Sequence, residues 1–534
     1  MLETGYRLDL TQRLLLSLET SLPAGLPEGI VFSDETFKLS ADFIGRKTLY
    51  YQFNGESLYF AWALKPLMNR PGFVRSIRRD VLSRYLYHQY VCHPDTIFQD
   101  VYKLSPGSAL CIDLRGPGPF TVEVQREWDV ADVYHEMRKT PVHDYSQARS
   151  ELKGLIEKAI AGFLASGGPS GAFLSGGYDS SLICAMAAEI SAQPLKTFTI
   201  GFYDDRHNEA EHAKAIAAYL GTNHTEVYIT EEDMLATAES LPEYYDEPFA
   251  DPSQIPMMLL AGLAADNVKS VLTGDGGDEI FCGYHIYEKL RLAQKMDVPG
   301  GMLHAMLNLP GISHFGLEER LPFRARVISA NRDAETKVQF GRGSYTDVVE
   351  NMVACESSLP VAYPIESRYR VKDWQTRRML LDMEAYLPAV LNKAGRALAR
   401  YSLTSFSPIL NQEIIEYSFR LDHSFKYHKG TKKRILKDIT HDYLPHDLLD
   451  RPKAGFSVPL DKWLRGVMRE QLTDMVNEDF LRRQGLFHAG YTADFVKKYL
   501  QTGDGGSFSG ANYSKIIWAY FVFQRWYGRY IIEY

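Results

Sequence analysis

Apolar positions recur along this chain with two different periods, and the change from one to the other divides it. Between residues 28 and 125, short runs such as "EGIVFS", "KTLYYQF", "SLYFAW", "SALCIDL" and "FTVEVQREW" favour aromatic and β-branched residues and predict strands. A helical insert is predicted near "RDVLSRYLYHQYV", "RGPGPF" at 115–120 reads as a turn, and the polar stretch around 132–147 reads as a linker. Beyond it, "SELKGLIEKAIAGFLAS" places Leu152, Leu155, Ile156, Ile160 and Phe163 on one face at helical spacing. Strand-like "GAFLS", "LKTFTIGF", "HTEVYI" and "KSVLTG" then alternate with helix-like "SLICAMAAEI" and "EAEHAKAIAAYLG". Such alternation predicts a parallel sheet flanked by helices, followed by a mostly helical region beyond about residue 285.

Length agrees with this division. The chain has 534 residues, 45% of them hydrophobic, which is more than one compact core usually holds. The expected units are a smaller α+β region at 1–130 and an α/β region at 145–534. A net charge of -8 without a basic block argues against nucleic acid as a partner. The cysteines, Cys92, Cys111, Cys184, Cys282 and Cys355, form no CxxC pair and predict neither structural zinc nor a disulfide. The N-terminal stretch lacks a basic n-region, and no run approaches the roughly 20 apolar residues of a membrane span. A soluble, cytoplasmic protein without membrane contact is the expectation.

The candidate chemistry lies in two turns. "SGGYDSS" at 175–181 follows a predicted strand and opens a predicted helix, where backbone N–H groups and the helix dipole favour phosphate. Gly176 and Gly177 let an anion approach, and Ser175, Ser180 and Ser181 offer hydroxyl donors. Asp179 would repel a phosphate unless a cation such as Mg²⁺ stood between them. Read blandly, this is a turn with a helix cap. "LTGDGGDEIFCGY" at 272–284 lowers that reading, because it follows another strand and offers Asp275, Asp278 and Glu279. Asp278 would then be the second carboxylate for a magnesium on pyrophosphate.

"SGGYDSS" resembles the pyrophosphate loop of ATP-pyrophosphatase enzymes and lacks the Gly-Lys-Ser/Thr ending of the Walker form. With "FTIGF" at 198–202, "YLGTNHTE" at 219–226, "YYDEPFADPSQIP" at 244–256, "TGDGGDEIFCGY" at 273–284 and "RPKAGFSVPLDKWLRG" at 451–466, the chain is similar to the asparagine synthetase-like enzymes. The resemblance covers about 145–534 and runs back more diffusely to "GRKTLYY" and "HPDTIFQDVYKLSPGSAL". It implies an adenine nucleotide α-hydrolase-like sheet and ATP-driven formation of an acyl-adenylate, which a nitrogen nucleophile converts to an amide. It further implies that Leu174, Ile200, Thr273 and Gly274 contact the adenosine and the AMP phosphate, and that Asp179 and Asp278 carry Mg²⁺. Asp275 would position the nucleophile or accept its proton, Lys453 would stabilise developing charge, and Lys433 would contact phosphate.

Two departures qualify the resemblance. The glutamine-dependent members expose a cysteine after the initiator methionine, whereas this sequence reads Met1-Leu2-Glu3 and shows no recognisable glycine-rich glutamine pocket ahead of "GRKTLYY". The N-terminal region is therefore expected to be a degenerate Ntn glutaminase, as in β-lactam synthetase-type or macrocycle-forming members. In "NKAGRALARYSLTSFSPILN" at 392–411, Gly395, Thr404, Phe406 and Asn411 stand where asparagine synthetases keep acidic and basic residues. That argues against aspartate as substrate. Tyr178 and Cys282 also differ from the common residues. Small-molecule or peptide carboxylates and amines are the expected substrates, with a second copy or a pathway protein as macromolecular partner. An ammonia-using asparagine synthetase and a nucleotide-binding pseudoenzyme are the alternatives.

Overall fold

Strands Ser170–Phe173 (β10) and Lys196–Phe202 (β11) are buried at nearly every position, as parallel strands covered on both faces must be. They belong to a five-stranded parallel sheet with Asn223–Ile229 (β12), Ser270–Leu272 (β13) and Thr404–Phe406 (β14), in the order β12-β11-β10-β13-β14. The computed structural model describes residues 5–10, 14–17, 29–33, 35–116, 120–203, 208–292, 294–295, 343–355, 371–450, 458–501 and 513–532.

Alternate residues of one strand serve opposite faces. Ala172, Leu174 and Leu272 pack with the helices Tyr145–Ala165, Tyr178–Ile190, Ala210–Leu220 and Arg434–Thr440. Phe173, Phe198, Ile200 and Val271 pack on the other side with Glu231–Tyr244, Gln254–Ala265 and Ser514–Tyr527. The predicted α/β architecture is thus present, with a helical region after it.

Before this sheet stand two antiparallel ones. Leu14–Ser17 (β2), Gly5–Asp9 (β1), Ser57–Ala61 (β6), Leu49–Phe53 (β5) and Tyr102–Leu104 (β7) form the first, in that order. Ile30–Phe32 (β3), Thr36–Ser40 (β4), Ser108–Asp113 (β8) and Glu123–Arg126 (β9) form the second. Their inner faces share a core of Tyr6, Leu8, Phe37, Leu39, Phe60, Leu110 and Ile112. The helix Arg79–His88 joins the first sheet to the other region: Tyr85 and Leu86 share a core with Trp518 and Phe523, and the Tyr85 hydroxyl donates to the Ala519 carbonyl at 2.9 Å.

The expected linker is corrected in its first half. Val130–Met137 is a helix, because the Asp129 carboxylate caps it by accepting from the N–H groups of Ala131 and Asp132 while Val130 and Ala131 are buried.

Candidate active site

In the parallel sheet the chain leaves β10 for β11 on one side and later returns to β13 on the other. The carboxyl ends of β10 and β13 therefore flank a topological switch point, where doubly wound sheets bind their ligands. Both predicted turns lie there. Leu174–Gly177 follows β10, and Thr273–Gly276 follows β13.

The first turn is ordered by its own hydroxyls. Ser180 Oγ accepts from the Ser175 N–H at 3.1 Å and meets Ser175 Oγ at 2.9 Å, while the Gly177 N–H points to Ser175 Oγ at 3.4 Å. Gly176 has φ +73°, and Gly177 is the residue before the first turn of Tyr178–Ile190. Ser181 Oγ is buried with no hydrogen-bond partner, a hydroxyl the protein leaves uncommitted. Leu174 and Ile200 are buried on opposite faces of the sheet, and the Thr273 N–H is held by the Phe406 carbonyl at 3.0 Å.

The second turn lies directly on the first. A Cβ on Gly274 would stand 2.8 Å from the Ser180 nitrogen, and one on Gly277 would stand 2.5 Å from Asp179 Cγ. Only hydrogen fits at those positions. This contact brings Asp179 and Asp278 to one point, marked by the ammonium of Lys433: it pairs with Asp179 and lies 2.7 Å from Asp278 Oδ1. Lys433 is buried at the start of Arg434–Thr440 with φ +53°, its N–H bonded to the Phe281 carbonyl. Burial alone would lower its pKa, but the two carboxylates outweigh it and hold the ammonium well above the ordinary lysine value. The two aspartates therefore share one position that favours positive charge.

Asp275 faces a different field. Burial raises its carboxyl pKa, and the charges of Asp179 and Asp278 add to this against the Thr273 hydrogen bond at 2.9 Å and the charge of Lys393. The Ser407 hydroxyl donates to the Asp275 carbonyl at 2.6 Å. Glu279, on the same turn, is 2% exposed. Burial, then the neighbouring Asp278 charge, pushes its pKa up to about 8, and the Tyr284 hydroxyl donates to it at 2.5 Å.

Lys453 lies outside the described residues. Sequence reasoning gave no role to Lys393 and Arg396, which the structure sets on the "DEPFADPS" stretch. Lys393 Nζ is 3.1 Å from Asp251 Oδ2 and 2.8 Å from Ser253 Oγ, and Arg396 Nη2 is 3.3 Å from Asp246 Oδ1. Acidic residues beside proline carried the signal, yet only folding reveals which cations they meet. Among the departures at 392–411, Phe406 stacks on Phe163 at 5.3 Å and Asn411 caps Gln412–Arg420 by accepting from the Glu413 N–H. Both have structural partners of their own.

Comparisons with known proteins find relatives along most of the chain. The sequence profile of the family described as Asparagine synthase matches residues 151–528, and that of the Glutamine amidotransferase domain matches 30–117. The chain is 26% identical over 511 residues to asparagine synthetase [glutamine-hydrolyzing] 1 of Bacillus subtilis, covering 92% of this chain and 75% of that protein. It is 23% identical over 469 residues to asparagine synthetase [glutamine-hydrolyzing] 3 of the same organism, covering 83% and 70%. With the protein named amidase chry2 of Gibberella zeae it shares 22% identity over 513 residues, covering 85% and 72%.

Proposed function

The chain belongs to the asparagine synthase family of ATP-dependent carbon–nitrogen ligases, and on that premise we propose that it adenylates a carboxylate and joins it to an amine or ammonia. The observation that carries this reading is the convergence of Asp179, Asp278 and Lys433 beneath two glycine turns at the switch point.

In this reading Leu174, Ile200, Thr273 and Gly274 hold the adenosine and the AMP phosphate of ATP. The hydroxyls of Ser175, Ser180 and Ser181, with the N–H groups that open Tyr178–Ile190, hold the pyrophosphate. Asp179 and Asp278 hold Mg²⁺, which when bound neutralises the phosphate charge. The substrate carboxylate attacks the α-phosphorus, the bond to the bridging oxygen breaks, and pyrophosphate leaves. The amine nitrogen then attacks the acyl carbon, its proton passes to Asp275, and AMP departs. The raised pKa of Asp275 suits a base at neutral pH. Lys433 and Lys453 supply the fixed cations that oppose developing charge.

We further infer two working units, a degenerate glutaminase-like region at 1–130 and the ligase at 145–534, with the amine arriving from outside. The packed interior between the two antiparallel sheets supports this. So do the cysteines of that region: Cys92 is buried beside the Tyr90 carbonyl, and burial holds the Cys111 thiol pKa above its usual value. Among the described residues no helix is long and apolar enough to cross a membrane. A cytoplasmic, specialised biosynthetic role fits these features.

A second reading is favoured by the relatives named asparagine synthetase: aspartate with free ammonia. Carboxylate-dependent exchange of labelled pyrophosphate into ATP tests both. Exchange with a carboxylate other than aspartate, lost in Asp179→Ala and Lys453→Met, supports the first. Asparagine formed from aspartate, ATP and ammonium supports the second. No exchange with any carboxylate would leave a nucleotide-binding scaffold.

A further inference from the structure

The end of the Arg434–Thr440 helix and the short helix His446–Leu449 fold back on each other, bringing three metal-ligating side chains to the start of Tyr178–Ile190. His441 and His446 stack with ring centroids 3.5 Å apart and planes 20° apart. His446 Nδ1 lies 2.9 Å from Asp450 Oδ2. One ligand atom from each of His441, His446 and Asp450 falls within 4.8 Å of the others.

Hydrogen bonds orient the group. His441 Nδ1 lies 3.1 Å from the Leu444 carbonyl, which can only accept, so Nδ1 donates there and Nε2 is the ring nitrogen turned toward the cluster. That Nε2 faces the Tyr178 hydroxyl oxygen at 3.2 Å, while the phenol's single proton goes to Asp450 Oδ1. His441 Nε2 thus lies beside a phenol oxygen, a carboxylate and a second imidazole. Lys437 lies over the Tyr178 ring, 4.4 Å from its centroid. A backbone carbonyl that fixes the distal nitrogen of an imidazole is the usual support of a metal-bound histidine.

We propose that His441, His446 and Asp450 bind a zinc-class divalent cation, with the Tyr178 oxygen or water as the fourth ligand. Two imidazoles and one carboxylate suit zinc or cobalt and not magnesium, which prefers an all-oxygen shell. The site is distinct from the cation position between Asp179 and Asp278. It adjoins that position through Tyr178, the residue before Asp179, and Asp450 immediately precedes the stretch Arg451-Pro452-Lys453. Occupancy would fasten the pyrophosphate loop to the residue that leads into that stretch.

Co²⁺ titrated into the chelator-treated full-length protein tests this. The expected result is one equivalent bound with the intense visible absorption of four-coordinate cobalt, displaced by Zn²⁺. His441→Ala and His446→Ala should each weaken binding at least about tenfold, and Asp179→Asn should leave it unchanged. No bound Co²⁺ in the wild type, or equal affinity in His446→Ala, would overturn the proposal. The His446 side chain is 68% exposed, so its removal costs little packing and the His446→Ala variant decides the matter even where His441→Ala is unstable.

Discussion

The ammonium of Lys433 lies 2.7 Å from the Asp278 carboxylate and also holds Asp179, so one buried cation fastens together the turns that follow β10 and β13. Lys433→Met removes that cation and strands two like charges. We expect a loss of about 3–5 kcal/mol in urea unfolding. Millimolar Mg²⁺ should restore more stability to the variant than it adds to the wild type, and equal shifts would contradict a shared cation position.

Gly277→Ala tests the close approach of the turns. The added methyl would stand 2.5 Å from Asp179 Cγ and must displace that side chain. We expect pyrophosphate exchange to fall on the order of a hundredfold in kcat/KM, with circular dichroism unchanged. Near-wild-type exchange would show that Asp179 need not be where it stands.

Asp275→Asn separates the two chemical steps. Adenylation does not need this base, so exchange should persist within a few-fold. Amide formation should fall by roughly 10²–10⁴, with acyl-adenylate accumulating in rapid-quench assays. Parallel loss of both steps would remove the base assignment.

Glu279 gives a pH signature. Its carboxyl is raised from an ordinary 4.5 to about 8 by burial and by Asp278, so between these values the folded state keeps a proton that the unfolded state has lost. The stability this contributes is fully present below 4.5 and is lost as pH rises through about 8, by at most about 1.4 kcal/mol per pH unit. Glu279→Gln should flatten that decline in urea midpoints measured from pH 5 to 8.5. An unchanged slope would place the titration elsewhere.

Much of the parallel sheet was legible because its signals are local: apolar runs that end in Gly-rich turns mark β10 and β13 directly. The first antiparallel strands were not. Gly5–Asp9 alternates weakly and is a strand because Tyr6 pairs with Phe60, a partner far along the chain. The aspartates of the site were readable from their turns, and Lys433 was proposed only as a phosphate contact. Its burial arises from a left-handed backbone and a convergence that no single segment encodes.

The Tyr85–Ala519 hydrogen bond spans 434 residues of sequence. During synthesis, at about 5–20 residues per second, the outer face of the Arg79–His88 helix therefore waits roughly 20 to 90 seconds for the helix that covers it. Until then Tyr85 and Leu86 lack the Trp518 and Phe523 side chains with which they share a core. The nascent chain thus presents an apolar surface that a chaperone could hold, and truncation before residue 514 should leave uncovered the part of it that Ser514–Tyr527 packs on.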